Sequence, residues 1–94
     1  MKVFILRCRW NVYGDTGNDI IAVYSEENMA KCAFDDFLKK EQKESWLNDV
    51  LDESLAPLAD APLAEYELRD YSFEAYHDNG ECFTSVWIEV FNVK

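Results

Sequence analysis

YSFEAYHDNGECFTSVWIEVF, residues 71–91, decides how this chain folds. At its centre Asn79-Gly80 is a pair that two-residue type I′ turns prefer, because both positions need positive φ. With these two residues as the loop, His77 faces Cys82, Ala75 faces Thr84, Phe73 faces Val86 and Tyr71 faces Ile88. That side is apolar and is predicted to meet the core. The other side pairs Tyr76 with Phe83, Glu74 with Ser85 and Ser72 with Trp87. Continued unchanged, this register sets Asp70 against Glu89, an unfavourable like-charge pair, and turns Tyr66 and Leu68 away from the core. A one-residue bulge near Asp70 is therefore expected, bringing Leu68 near Val90.

A second strand pair is readable at the start of the chain. Phe4, Leu6, Cys8 and Trp10 alternate with Ile5, Arg7 and Arg9, a period of two with the arginines on its polar side. Asn11–Asp19, NVYGDTGND, is rich in turn residues and reads as a long loop before a short β-branched strand, Ile20–Tyr24. Ser25 is placed to cap a helix, with Glu26 and Glu27 at its positive end. Ala30, Ala33, Phe34, Phe37 and Leu38 form one apolar stripe, and Lys39 and Lys40 follow it. Trp46, Leu47, Val50, Leu51 and Leu55 form a second stripe, out of phase with the first. Two helices, or one broken between Gln42 and Ser45, satisfy both stripes. Then ESLAPLADAPLAE, with Pro57 and Pro62, reads as a connector held down by Leu55, Leu58 and Leu63. The expected fold is α+β: a four-stranded antiparallel sheet, ordered β-β-α-α-β-β, with helices packed on one face.

At 94 residues the chain is one domain, residues 1–94, and an apolar share of 49% is ample for one core. Arg7 and Arg9 interrupt the opening apolar run at once, so it reads as neither signal peptide nor membrane span. Three cysteines, Cys8, Cys32 and Cys82, lack metal-ligand spacing and read as reduced, mostly buried thiols of a cytoplasmic protein. The net charge is −10, and it is unevenly placed. Residues 1–43 hold seven bases and seven acids, whereas 44–89 hold twelve acids and one base. Phosphates need cations, so direct nucleic-acid binding is disfavoured and a basic protein partner is favoured.

Few residues carry catalytic chemistry. His77 and Cys82 are the one candidate base and nucleophile. A hairpin tip offers them neither cleft nor oxyanion donors, so packing at the sheet end is the simpler reading. GDTGND lacks the ligand order of a calcium loop and its closing glutamate. No P-loop or dinucleotide fingerprint is present, and neither cofactor nor metal is expected. The chain reads as non-enzymatic.

MKVFIL followed by IIAVYSEENMAKCAFDDF resembles a pattern in small bacterial and phage proteins of unassigned activity. Those open on an MKVYVV-like strand, carry G-V-Y-S-x-x-E-x-A before a helix, and often have an E-Y-E-L strand. The matching residues are Met1, Lys2, Val3, Val23, Tyr24, Ser25, Ala30 and Glu65 to Leu68; Ala22 replaces the glycine, and Asn28 and Met29 interrupt the acidic stretch. The resemblance implies a β-β-α-β fold and assigns no functional residue.

Size and acidity are similar to those of phage-encoded anti-defence inhibitors, of the anti-CRISPR or DNA-mimic kind. The expected function is therefore an inhibitor that occupies a basic nucleic-acid-binding surface of a host defence protein, in the host cytoplasm. Asp49, Asp52, Glu53, Asp60, Glu65, Glu67, Asp70 and Glu74 would steer association, and Trp46, Tyr76, Phe83 and Trp87 would anchor it. One alternative is an immunity protein or antitoxin that neutralises a basic nuclease. Another is a small enzyme or ligand-binding domain using His77 and Cys82. A homodimer through the outer sheet face is a further possibility, and the acids form one patch only if helix and strand present them in the same direction.

Overall fold

The two hairpins read at either end of the sequence join edge to edge into one sheet. The computed structural model describes residues 1–60, 63–77 and 82–93. Its elements are β1 (Lys2–Val12), β2 (Asp15–Tyr24), α1 (Glu27–Glu44), a 3₁₀ turn (Trp46–Asp49), β3 (Glu65–Leu68), β4 (Ser72–His77) and β5 (Cys82–Asn92). The α+β class is as expected. Among the described residues, however, the sheet has five strands in the order β2-β1-β5-β4-β3, each pair antiparallel, and one α-helix packs on it.

β4 and β5 have the predicted register, with His77 opposite Cys82, Phe73 opposite Val86 and Ser72 opposite Trp87. The Asn79-Gly80 turn itself lies outside the described residues, as does Pro62. The fifth strand comes from a different solution to the charge problem at Asp70. Instead of bulging, the chain reverses there, and the Arg69 N–H bonds the Ser72 carbonyl at 2.8 Å. Leu68 consequently stands opposite Phe73, not near Val90. Reversal sets Glu67 opposite Glu74, and Arg69 offsets this by pairing with Glu67.

Asn11–Asp19 is not a long loop. β1 and β2 continue through it to a two-residue turn, Tyr13-Gly14, with φ of 52° and 91°. Positive φ is strained for tyrosine, and the Asn11 side chain supports the turn by accepting from the Gly14 N–H at 3.0 Å. Further along, Leu6 pairs with Ala22 but Arg7 pairs with Ile20, so β2 carries a one-residue bulge at Ile21. Past the bulge, Asp19 shares the helix-side face with Cys8.

In α1 the residues Ala30, Phe34, Leu38 and Gln42 are buried at a spacing of four. Ser25 does not cap it; Glu26 occupies that position and makes no side-chain cap bond. The second stripe shrinks to a single 3₁₀ turn because Ser45 ends the helix. Its hydroxyl donates to the Glu41 carbonyl at 2.6 Å and accepts from the Leu47 N–H at 3.2 Å. Leu47, Val50, Leu51 and Leu55 still reach the core, now by the curl of the chain. With Leu6, Phe34, Leu38, Phe73 and Val86 they fill the space between helix and sheet, each large side chain contributing about 1.5–3 kcal/mol.

Candidate functional site: the open sheet face

Strand alternation sends every second residue away from the helix. Across the sheet these residues form rows: Asn18–Arg9–Ser85–Glu74–Glu67, Thr16–Asn11–Phe83–Tyr76–Glu65 and Ile20–Arg7–Trp87–Ser72. The trough on this face is lined by strand residues and by the β3–β4 turn, with no residue of α1 among its lining. Ser85 stands between Phe83 and Trp87, and Ser72 lies opposite Trp87; these small residues line a trough of about 1000 Å³. Phe83, Trp87 and Tyr76 wall it, and Tyr76 is 37% exposed. Four carboxylates, Glu65, Glu67, Asp70 and Glu74, border it together with two guanidiniums, Arg9 and Arg69.

The bases are already engaged, mostly with residues of the trough itself. The Arg9 guanidinium lies 5.6 Å from the Phe83 ring centroid. Arg7 sits 5.8 Å from the Trp87 ring centroid and donates to Glu89 at 3.0 Å. Arg69 pairs with Glu67. Lys31 of α1 approaches Asp70 at 3.6 Å and the Tyr71 ring at 5.1 Å, while the Tyr71 hydroxyl donates to Glu27 at 2.6 Å. That last bond raises the Tyr71 pKa and ties the β3–β4 turn to the helix. Glu65 and Glu74 form no ion pair with a described residue, so they present free negative charge beside the aromatics.

The structure divides the twelve residues named from sequence. Glu65, Glu67, Asp70, Glu74, Tyr76, Phe83 and Trp87 line one trough. Asp49, Asp52 and Glu53 belong to the 3₁₀ turn and the loop after it, in the layer on the opposite side of the sheet, and Asp60 lies exposed in the connector. The acids are thus split between two layers. Asp52 shapes its own loop, since its Oδ1 accepts from the Ser54 hydroxyl and from the N–H groups of Ser54 and Ala56, which lowers its pKa. Trp46 is likewise turned inward. It packs against the core, and its Nε1 donates to the buried Thr84 Oγ1 at 2.8 Å.

His77 and Cys82 are cross-strand partners as predicted, and they line neither the trough nor the cavity on the helix side. Cys8 and Cys82 are buried and Cys32 is exposed. Burial, aided by nearby Glu41 and Asp19, pushes the Cys8 thiol up to about 12, so it is no thiolate nucleophile at neutral pH. Sequence reasoning set Ser85 and Ser72 on this face but did not name them, or Arg9, as site residues. The small residues carried the signal, since serines between aromatics on one strand face leave a hollow. Among the described residues no helix is long and apolar enough to cross a membrane.

Compared with protein-family models, with curated proteins and with solved structures, the chain matches none.

Proposed function

We propose that this is a non-enzymatic interaction protein that binds a basic surface on another protein through the open face of its sheet. The observation that carries this reading is the trough, where Glu65 and Glu74, in no ion pair with a described residue, stand beside Trp87, Phe83 and Tyr76. Partly exposed aromatics rimmed by charge suit a Lys/Arg-bearing partner: the carboxylates raise the association rate and the aromatics slow dissociation. A nucleic-acid-binding surface is basic because it must neutralise phosphates. The finer reading is therefore an inhibitor that displaces nucleic acid from a defence protein, encoded by a phage. An immunity protein against a basic nuclease is the neighbouring reading, with the same physics.

A pull-down from nuclease-treated host lysate tests it, using the wild-type chain beside a Glu65→Lys, Glu67→Lys, Glu74→Lys variant. The reading expects a basic protein retained by the wild type, released by salt, and lost from the variant. Equal retention by both, or none by either, overturns it. Concentration-dependent dimerisation lost in Trp87→Ala would instead make a second copy of the chain the occupant.

A further inference from the structure

A second cavity, of about 430 Å³, lies on the helix side of the sheet, away from the open face. Its walls are apolar and aromatic: Trp10 from β1, Phe37 from α1 and Trp46 from the 3₁₀ turn. Three carboxylates border the same space. Asp15 and Asp19 reach it from β2, placed on this side by the Ile21 bulge, and Glu41 reaches it from α1. No lysine or arginine lines the cavity, and none of the three acids forms an ion pair with a described residue.

We propose that this cavity binds a small organic ammonium ion, held by the indole and phenyl faces and neutralised by Asp15, Asp19 and Glu41. Three carboxylates bordering one apolar space, with no base among its lining residues, favour a cation from outside. Two indoles and a phenyl ring line the space, ammonium groups prefer aromatic π-faces, and the volume suits a small ligand. A bare metal ion fits poorly, because no group of three or more His, Cys, Asp or Glu among the described residues converges closely enough to hold one. The Cys8 side chain also borders the cavity, is 3% exposed, and its thiol hydrogen-bonds to no described residue. Burial already raises the Glu41 pKa, which marks this carboxylate as poorly solvated and receptive to a cation. The site is independent of the open-face reading and stands or falls separately.

Tryptophan fluorescence tests it, with Trp87→Phe as background so that only Trp10 and Trp46 report. The probes are phenethylammonium and tetramethylammonium, with 2-phenylethanol as the neutral counterpart and magnesium chloride as the inorganic control. The proposal expects a saturable change with both ammonium ions and little with the alcohol or magnesium. Asp19→Asn combined with Glu41→Gln should weaken phenethylammonium binding about tenfold, while Glu74→Gln on the other face leaves it unchanged. Circular dichroism checks that the variants fold. An equal response to the alcohol, the absence of saturation in the parent protein, or unchanged affinity in the folded double variant overturns the proposal.

Discussion

Arg7 on β1 stands directly opposite Trp87 on β5, its guanidinium 5.8 Å from the indole centroid while its Nη1 bonds Glu89 at 3.0 Å. One arginine thereby joins the aromatic trough to the central strand pair. Its Nε is buried without a hydrogen-bond partner, so the side chain serves by its stem and its ring contact as much as by its charge.

That arrangement predicts an order among three substitutions. Glu89→Gln removes only a solvent-exposed ion pair and should change stability by less than about 1 kcal/mol. Arg7→Ala loses stem packing as well and should cost more. Arg7→Met keeps the stem and removes the orphaned Nε, so it should be milder than Arg7→Ala. Urea unfolding followed by fluorescence ranks them, and both Arg7 substitutions, but not Glu89→Gln, should shift the emission of Trp87.

Trp46→Phe should cost about 1–2 kcal/mol in the same assay, because it leaves the buried Thr84 hydroxyl without the indole N–H. Combining it with Thr84→Val should recover part of that loss. A coupling energy near zero would mean that the 2.8 Å contact contributes nothing.

Gly17→Ala tests the β1–β2 register. A Cβ at Gly17 would lie within 1.9 Å of Trp10 Cζ2, since the indole lies across the strand at this position. Displacing the ring should cost about 1–3 kcal/mol and open the wall of the helix-side cavity. A fully stable variant with unchanged Trp10 emission would contradict this packing.

Two carboxylates should give stability opposite dependences on pH. Asp52 has a lowered pKa from its bonds to Ser54 and Ala56, so its contribution is complete above the ordinary carboxylate range and is lost as acid protonates it. Glu41 has a pKa raised by burial, so the folded state holds its proton more tightly than the unfolded chain does. Its contribution is present at low pH and falls as pH rises through the interval between the ordinary and raised values. Glu41→Gln should therefore stabilise the protein at neutral pH, and Asp52→Asn should destabilise it. Melting temperatures between pH 3 and pH 8, about the ordinary carboxylate range upward, read both.

The elements that sequence makes plain here are those set by local alternation. Phe73, Ala75, Val86 and Thr84 had one face to bury, and the Asn79-Gly80 pair then set the β4–β5 register that the structure shows. The missed features depend on strand pairings and side-chain hydrogen bonds that alternation does not reveal. Tyr13-Gly14 looks like part of a polar loop until Asn11 and Thr16 are seen as a cross-strand pair. The stripe Trp46–Leu55 has helical spacing, yet the Ser45 hydroxyl and the Asp52 carboxylate redirect the backbone into turns. For the trough, sequence supplied the aromatics and the acids. It did not supply the direction of Trp46, whose indole finds Thr84 thirty-eight residues away.

The central claim, that the open face and not acidity in general engages the partner, is tested by association rates measured against the basic protein that the wild-type chain captures. Glu65→Gln, Glu67→Gln and Glu74→Gln together should slow association about tenfold at low salt and flatten its salt dependence. Asp49→Asn with Glu53→Gln, in the other layer, should leave the rate within about twofold, as expected of charges outside a steering face. Equal slowing by the two sets, or slowing by the second alone, would contradict the account.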